Sequence, residues 1–139
     1  MIELLMVIVI VGALTAFGFP RIRDSIQKQN ARSARVAATV LVAKARAAAV
    51  GRGCLTSFEA RSDGRLWVTS CRTDNVAGLD TLGGIENLAA RYNVTVSPSQ
   101  STLTFDPRGL ASGGTMRIRF TSSSSSDSIF INQVGKVVR

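Results

Sequence analysis

The chain has 139 residues, 45% of them hydrophobic, and its 17 Lys and Arg against 9 Asp and Glu give a formal net charge of +8. Such a composition fits one ordered domain with an appendage and excludes disordered and collagen-like classes. Histidine is absent, which removes His triads, His general bases and His-ligated metals. With no P-loop or dinucleotide fingerprint either, neither an enzyme, a cofactor nor a metal site is expected.

Residues 2–19 are apolar apart from Glu3, Gly12, Thr15 and Gly18. As a helix this run reaches roughly 27 Å, close to the thickness of a bilayer core, so a membrane-spanning segment is expected over residues 1–20. A secretory signal would open on a positive charge and end in a small-residue cleavage site, whereas the one charge here is the negative Glu3. A plain anchor explains the length but not the acid. A carboxylate in hydrocarbon costs on the order of 2.5 kcal/mol or more and therefore implies a partner. Pro20 removes a helical hydrogen bond and, with Gly12 and Gly18, weakens the local ladder.

Residues 21–49 contain no proline or glycine and many alanines, so the helix is expected to continue, with Gly51 and Gly53 ending it. The domain plan is a continuation of the helix over residues 21–52 and a β-rich domain over 53–139. Ile22, Ile26, Val36, Val40 and Ala47 fall near a 3.6-residue stripe, predicted to be the face that packs on the domain. Eight basic residues (Arg21, Arg23, Lys28, Arg32, Arg35, Lys44, Arg46, Arg52) face one acid, Asp24, in this segment. A basic run beside a membrane span suits acidic lipid head groups or partner carboxylates better than nucleic acid.

Beyond the helix the pattern is that of short strands. Residues 55–60 and 66–72 flank an Asp63-Gly64 hairpin turn; 74–84 reads as loop and 85–91 as a short helical turn. Strands are expected again at 94–96, 102–105, 116–121, 129–132 and 136–138, with turns at 106–109 and 113–114 between them. The serine run at 122–126 reads as a flexible hairpin tip. Cys54 and Cys71 lie on opposite hairpin arms at a spacing that matches no zinc pattern. Two readings stand for them: a disulfide contributing roughly 3 kcal/mol in an oxidising compartment, or two buried thiols. A long helix followed by antiparallel strands is an α+β arrangement with the helix across the sheet. Trp67, Tyr92, Phe105, Phe120 and Phe130 are expected in the core rather than as base-stacking platforms.

The opening Ile2-Glu3-Leu4-Leu5-Met6-Val7-Ile8-Val9-Ile10, followed by Gly12, Ala16 and Pro20, resembles the start of a mature type IV pilin or pseudopilin. Further in, Ala31-Arg32, Ala-Lys-Ala-Arg-Ala-Ala-Ala at 43–49, Thr-Phe-Asp-Pro-Arg-Gly at 104–109, Ile129 to Asn132 and Gly135-Lys136-Val137 resemble the GspH/FimT group of minor pseudopilins. The resemblance implies a type IV pilin-like fold, its long N-terminal helix half in the membrane and half packed on an antiparallel sheet domain. Glu3 would neutralise the terminal amine of the adjoining subunit, and Ile2, Leu4, Leu5, Val7, Ile8, Ile10, Gly12, Leu14, Phe17 and Pro20 would build the filament core. The implied function is a minor subunit of a type II secretion pseudopilus or a type IV pilus, with a major structural pilin as the alternative. Its partners would be other pilin or pseudopilin subunits, the inner membrane and the pilus or type II secretion assembly machinery. The implied location is the inner membrane, single-pass, with a periplasmic domain and a periplasmic or extracellular filament after assembly. Arg21, Arg23 and Lys28 after the span would by themselves hold the domain in the cytoplasm; a basic leader of the family's type would reverse that.

A second binding reading concerns DNA. Arg117 and Arg119 are two apart and so share a strand face, and Lys136 with Arg139 would extend a basic patch at the C-terminal edge. Some FimT-like pilins bind DNA through a Gly-Arg-x-Arg motif, which Gly135-Lys136-Val137-Val138-Arg139 approaches. Here lysine replaces the first arginine, and the last basic residue comes one position late, on the opposite strand face. Ordinary solvated charge is the competing account.

Overall fold

The computed structural model describes residues 2–72 and 78–138, with residues 16–20 described in backbone only. Helix α1, Ile2–Arg52, is continuous over 51 residues, about 77 Å at the α-helical rise. Gly53 then takes a left-handed conformation, φ 65°, which closes the helix as a C-terminal glycine does. Gly51, expected to help end the helix, lies inside its last turn.

Among the described residues ten strands and one short helix follow: β1 Thr56–Ala60, β2 Arg65–Cys71, β3 Leu79–Thr81, β4 Glu86–Asn87, α2 Leu88–Tyr92, β5 Thr95–Pro98, β6 Thr102–Phe105, β7 Ala111–Ser112, β8 Met116–Ser122, β9 Ser125–Ile131 and β10 Val137–Val138. They form two antiparallel sheets. In the first, the strands run β3-β2-β1-β6-β7 with β4 also paired to β2; in the second, β10-β9-β8-β5. Ala111 N–H donates to Gln133 O at 2.9 Å, linking the two sheets.

Helix α1 lies against the inner faces of both sheets. Its inward face is Ala31, Ala34, Ala38, Leu41, Val42, Ala45 and Ala49, all buried, while the sheets contribute the bulk, with Phe58, Phe105 and Phe120 fully buried. Small residues on the helix and large ones on the strands let the backbones approach closely without leaving voids. The predicted packing stripe is therefore corrected: Ile22, Ile26, Val36 and Val40 are all more than half exposed, and Ala47 is exposed beside them. They form the face of the helix turned away from the domain.

Most strands fall where their alternation predicts them. β3, β4 and β7 were not expected, β4 taking the start of the predicted helical turn at 85–91; each is only two or three residues long and exists by pairing with a neighbour. The serine run is mostly strand, since β8 extends through Ser122 and β9 begins at Ser125. The hairpin register there is complete from Met116↔Ile131 to Ser122↔Ser125. Its tip docks on α1: Arg35 Nε lies 2.9 Å from Asp127 Oδ2, and Ser124 Oγ bonds Gln27 Oε1 at 2.5 Å. At the β1–β2 turn Gly64 has φ +87°, and a Cβ there would lie 2.2 Å from that of Ala89. Both the backbone conformation and the seat of α2 thus require glycine.

Candidate assembly surface

Glu3 stands in the first turn of α1, where a carboxylate is favoured by the helix dipole. It is exposed and makes no ion pair among the described residues. Around it Ile2, Leu4, Leu5, Val7, Ile8, Ile10 and Leu14 are each between 56% and 81% exposed. Among the described residues nothing in the chain's own fold covers them. A Cβ at Gly12 would meet nothing within 4 Å, and Phe17 and Pro20 fall in the segment of α1 whose side chains are not described. Among the described residues no helix is long and apolar enough to cross a membrane.

A second apolar surface lies further along the outer face of α1. Val36, Val40 and Val50 are each at least half exposed, and Ala43 and Ala47 between them are exposed too. The spacing 36, 40, 43, 47, 50 alternates steps of four and three, which aligns side chains into a seam that suits another helix. Ala43 and Val50 were missed in the sequence, although that alternation was the signal that could have found them. The helix thus has two apolar faces in its second half, one buried on the sheets and one uncovered. Uncovered apolar surface of this extent marks a site of association.

Cys54 and Cys71 form a disulfide with Cα atoms 6.3 Å apart, which settles the two readings in favour of the bridge. Next to it Arg52, in the last turn of α1, donates from Nη1 to Cys71 O at 2.6 Å and sets Nη2 3.6 Å from Asp80 Oδ2. Bridge and guanidinium together tie the end of the helix to the end of β2.

Arg117 and Arg119 alternate with buried Met116, Ile118 and Phe120 along β8 and so share the outer face of the second sheet. Arg117 lies over the Phe130 ring, 5.9 Å from its centroid. Neither arginine has an acidic partner among the described residues. Lys136 borders a groove against α1 with Arg46 and Val50, and Arg139 lies outside the described residues.

Comparison with known proteins adds two findings. A family profile described as type II transport protein GspH matches residues 28–135. Crystal structures of the type IV minor pilin FimU of Pseudomonas aeruginosa are similar in fold. In space group P21 the TM-score is 0.62 at 15% identity, covering 79% of this chain and 87% of that one. In space group P65 it is 0.58 at 15% identity, covering 77% and 90%. No curated protein matches by sequence. The expected type IV pilin-like arrangement, a long N-terminal helix on antiparallel sheets, is the one observed.

Proposed function

Because this chain belongs to the family of the type II transport protein GspH, we propose that it is a minor pilin or pseudopilin subunit entering a type II secretion pseudopilus or a type IV pilus. The observation that carries this reading is a single helix with large apolar side chains uncovered between Ile2 and Leu14 and again at Val36, Val40 and Val50, with one acid, Glu3, in its first turn. A helix apolar on a face that its own domain does not cover is stable in lipid or among other helices, not in water. Residues 2–19 would hold the subunit in the inner membrane before assembly and line the filament core afterwards. Glu3 would pair with the terminal amine of a neighbouring subunit, and the sheets would form the periplasmic or extracellular surface.

Val40→Glu tests the outer seam apart from the N-terminal motif. Val40 is 60% exposed, so the domain should melt as wild type. Seating a carboxylate in an apolar helix contact should lower recovery of the subunit in sheared filaments about tenfold. Equal recovery beside wild-type subunits would show that the seam is not part of the assembly.

One observation supports DNA as an additional partner: Arg117 and Arg119 side by side on an open face with no carboxylate opposite. Duplex DNA should then bind at low salt and dissociate as salt rises. The double variant Arg117→Ala, Arg119→Ala should flatten the salt dependence by about two phosphate contacts. A gel-shift titration with no retarded band at low salt would remove DNA from the partners.

A further inference from the structure

Beyond Lys28, α1 carries five basic residues, Arg32, Arg35, Lys44, Arg46 and Arg52, while residues 25–58 contain no acid. An ion pair within a helix needs an opposite charge three or four positions away, so the helix itself neutralises none of the five. The domain takes up two of them: Arg35 lies 2.9 Å from Asp127 and Arg52 3.6 Å from Asp80. Arg32, Lys44 and Arg46 are exposed and have no ion pair among the described residues. The helix dipole does not account for Lys44 and Arg46, since its pull is confined to the last turn and α1 runs on to Arg52.

These cations flank the apolar seam Val36, Val40, Ala43, Ala47 and Val50. With the seam at the contact positions of a heptad, Arg32 and Arg46 occupy one flanking position and Lys44 the other. Arg46 borders a groove with Val50, Val137 and a further cation, Lys136, and its stem passes Gly109, whereas Lys44 reaches over Gly83. The two therefore leave the seam on opposite sides. Charges at the flanking positions of a helix contact choose the partner, because like charges repel and opposite charges fix the register. Both flanks of this seam are positive.

Few surfaces can cover it. A second copy would set cations against cations, since the acids of its α1 are Glu3 and Asp24 alone. With residues 2–19 across a bilayer, Arg32 and Arg46 stand about 20 and 40 Å further along the axis, so anionic head groups are out of reach at a screening length of about 8 Å. A nucleic acid would meet the cations through its phosphates and leave the apolar seam between them unmatched. A helix whose own apolar seam is edged with carboxylates satisfies both features at once.

We propose that the outer seam of α1 docks a helix of a different subunit, one with carboxylates beside its apolar seam, in preference to a second copy of this chain. This preference rests on the reading of the seam as an assembly surface and adds the chemistry of its partner. The probe is the full chain with its flanks reversed: Arg32→Glu, Lys44→Glu and Arg46→Glu together keep the seam and supply the carboxylates. Arg32→Gln, Lys44→Gln and Arg46→Gln together give a neutral reference. Both native cysteines are in the bridge, so Ser123→Cys, exposed at the β8–β9 turn, gives each chain one thiol for a donor or acceptor dye. Energy transfer is followed in dilute detergent micelles. At low salt the wild-type chain should pair with the reversed chain about tenfold more tightly than with itself, and the preference should vanish at about 1 M salt. The neutral chain should pair with itself to an intermediate extent. All chains should keep the wild-type melting temperature; Arg32→Glu with Lys44→Glu repeats the measurement with the Arg46 stem in place. A wild-type pair as tight as the mixed pair, or a preference indifferent to salt, overturns the selection by charge. In that event, neutral pairing that is lost on adding Val40→Glu leaves the seam an assembly surface with another partner, whereas neutral pairing indifferent to Val40→Glu ends that reading as well. Absence of the mixed preference together with flank-dependent binding to phosphatidylglycerol nanodiscs gives the cations to lipid and likewise overturns the proposal.

Discussion

Glu3→Gln is expected to remove the subunit from filaments while leaving its domain intact. Glutamine keeps the shape of the side chain and discards the charge, so the loss isolates the ionic pairing from packing. A charge-assisted hydrogen bond in a dry site contributes about 1.5–3 kcal/mol, or about ten- to a hundredfold in the equilibrium between free and assembled subunit. The unpaired neighbour amine adds to that cost. The domain should melt unchanged, because Glu3 is exposed and touches nothing in the sheets. The measurement is the fraction of tagged variant in sheared filaments when it is expressed beside wild-type subunits. Recovery at the wild-type level would end the proposed role of this carboxylate. Glu3→Asp, which keeps the charge on a shorter arm, should fall between the two.

The second large effect concerns stability. Replacing both Cys54 and Cys71 by serine should cost the domain about 3 kcal/mol for a closed loop of this size. In a domain this small that corresponds to a melting temperature lower by about 10–20 °C. The location sharpens the expectation. The bridge joins the approach to β1 to the end of β2, beside the Arg52 contact with Cys71 O, so its loss also loosens the end of α1. Hydrogen exchange should therefore accelerate first at residues 52–56 and 70–72, before the core. An unchanged melting curve under reducing conditions would mean that the bridge constrains nothing. Disulfides persist in oxidising compartments, in keeping with the periplasmic domain proposed above.

Much of the architecture could be read from local pattern. The 2–52 helix follows from its apolar and alanine-rich composition, and the β1–β2 hairpin from Asp63-Gly64 between alternating runs. β6, β8 and the end of β9 were each visible as apolar alternation. Glu3 stood out because an acid in an apolar run has to be explained. The misplaced packing face has one cause. Choosing Ile22, Ile26, Val36 and Val40 as the packing face assumed that larger apolar side chains are buried first. The buried face proved to be alanine, which carries little hydropathy signal and is selected by the space that Phe58, Phe105 and Phe120 leave. The serines at 122–126 have weak strand preference, yet the register of β8 with β9 and the contacts of Asp127 and Ser124 with α1 extend the strands through most of them.

Helix length, hairpin position and the acid at the head of the apolar run were determined by the order of residues alone, because each depends on groups within a few positions of one another. Tertiary structure decided which side of the helix meets the sheets, and hence which apolar seam is left for other subunits. It also decided that the two cysteines meet. These outcomes depend on volume and register between segments 16 to 97 positions apart, distances over which no one-dimensional pattern specifies which surfaces come into contact.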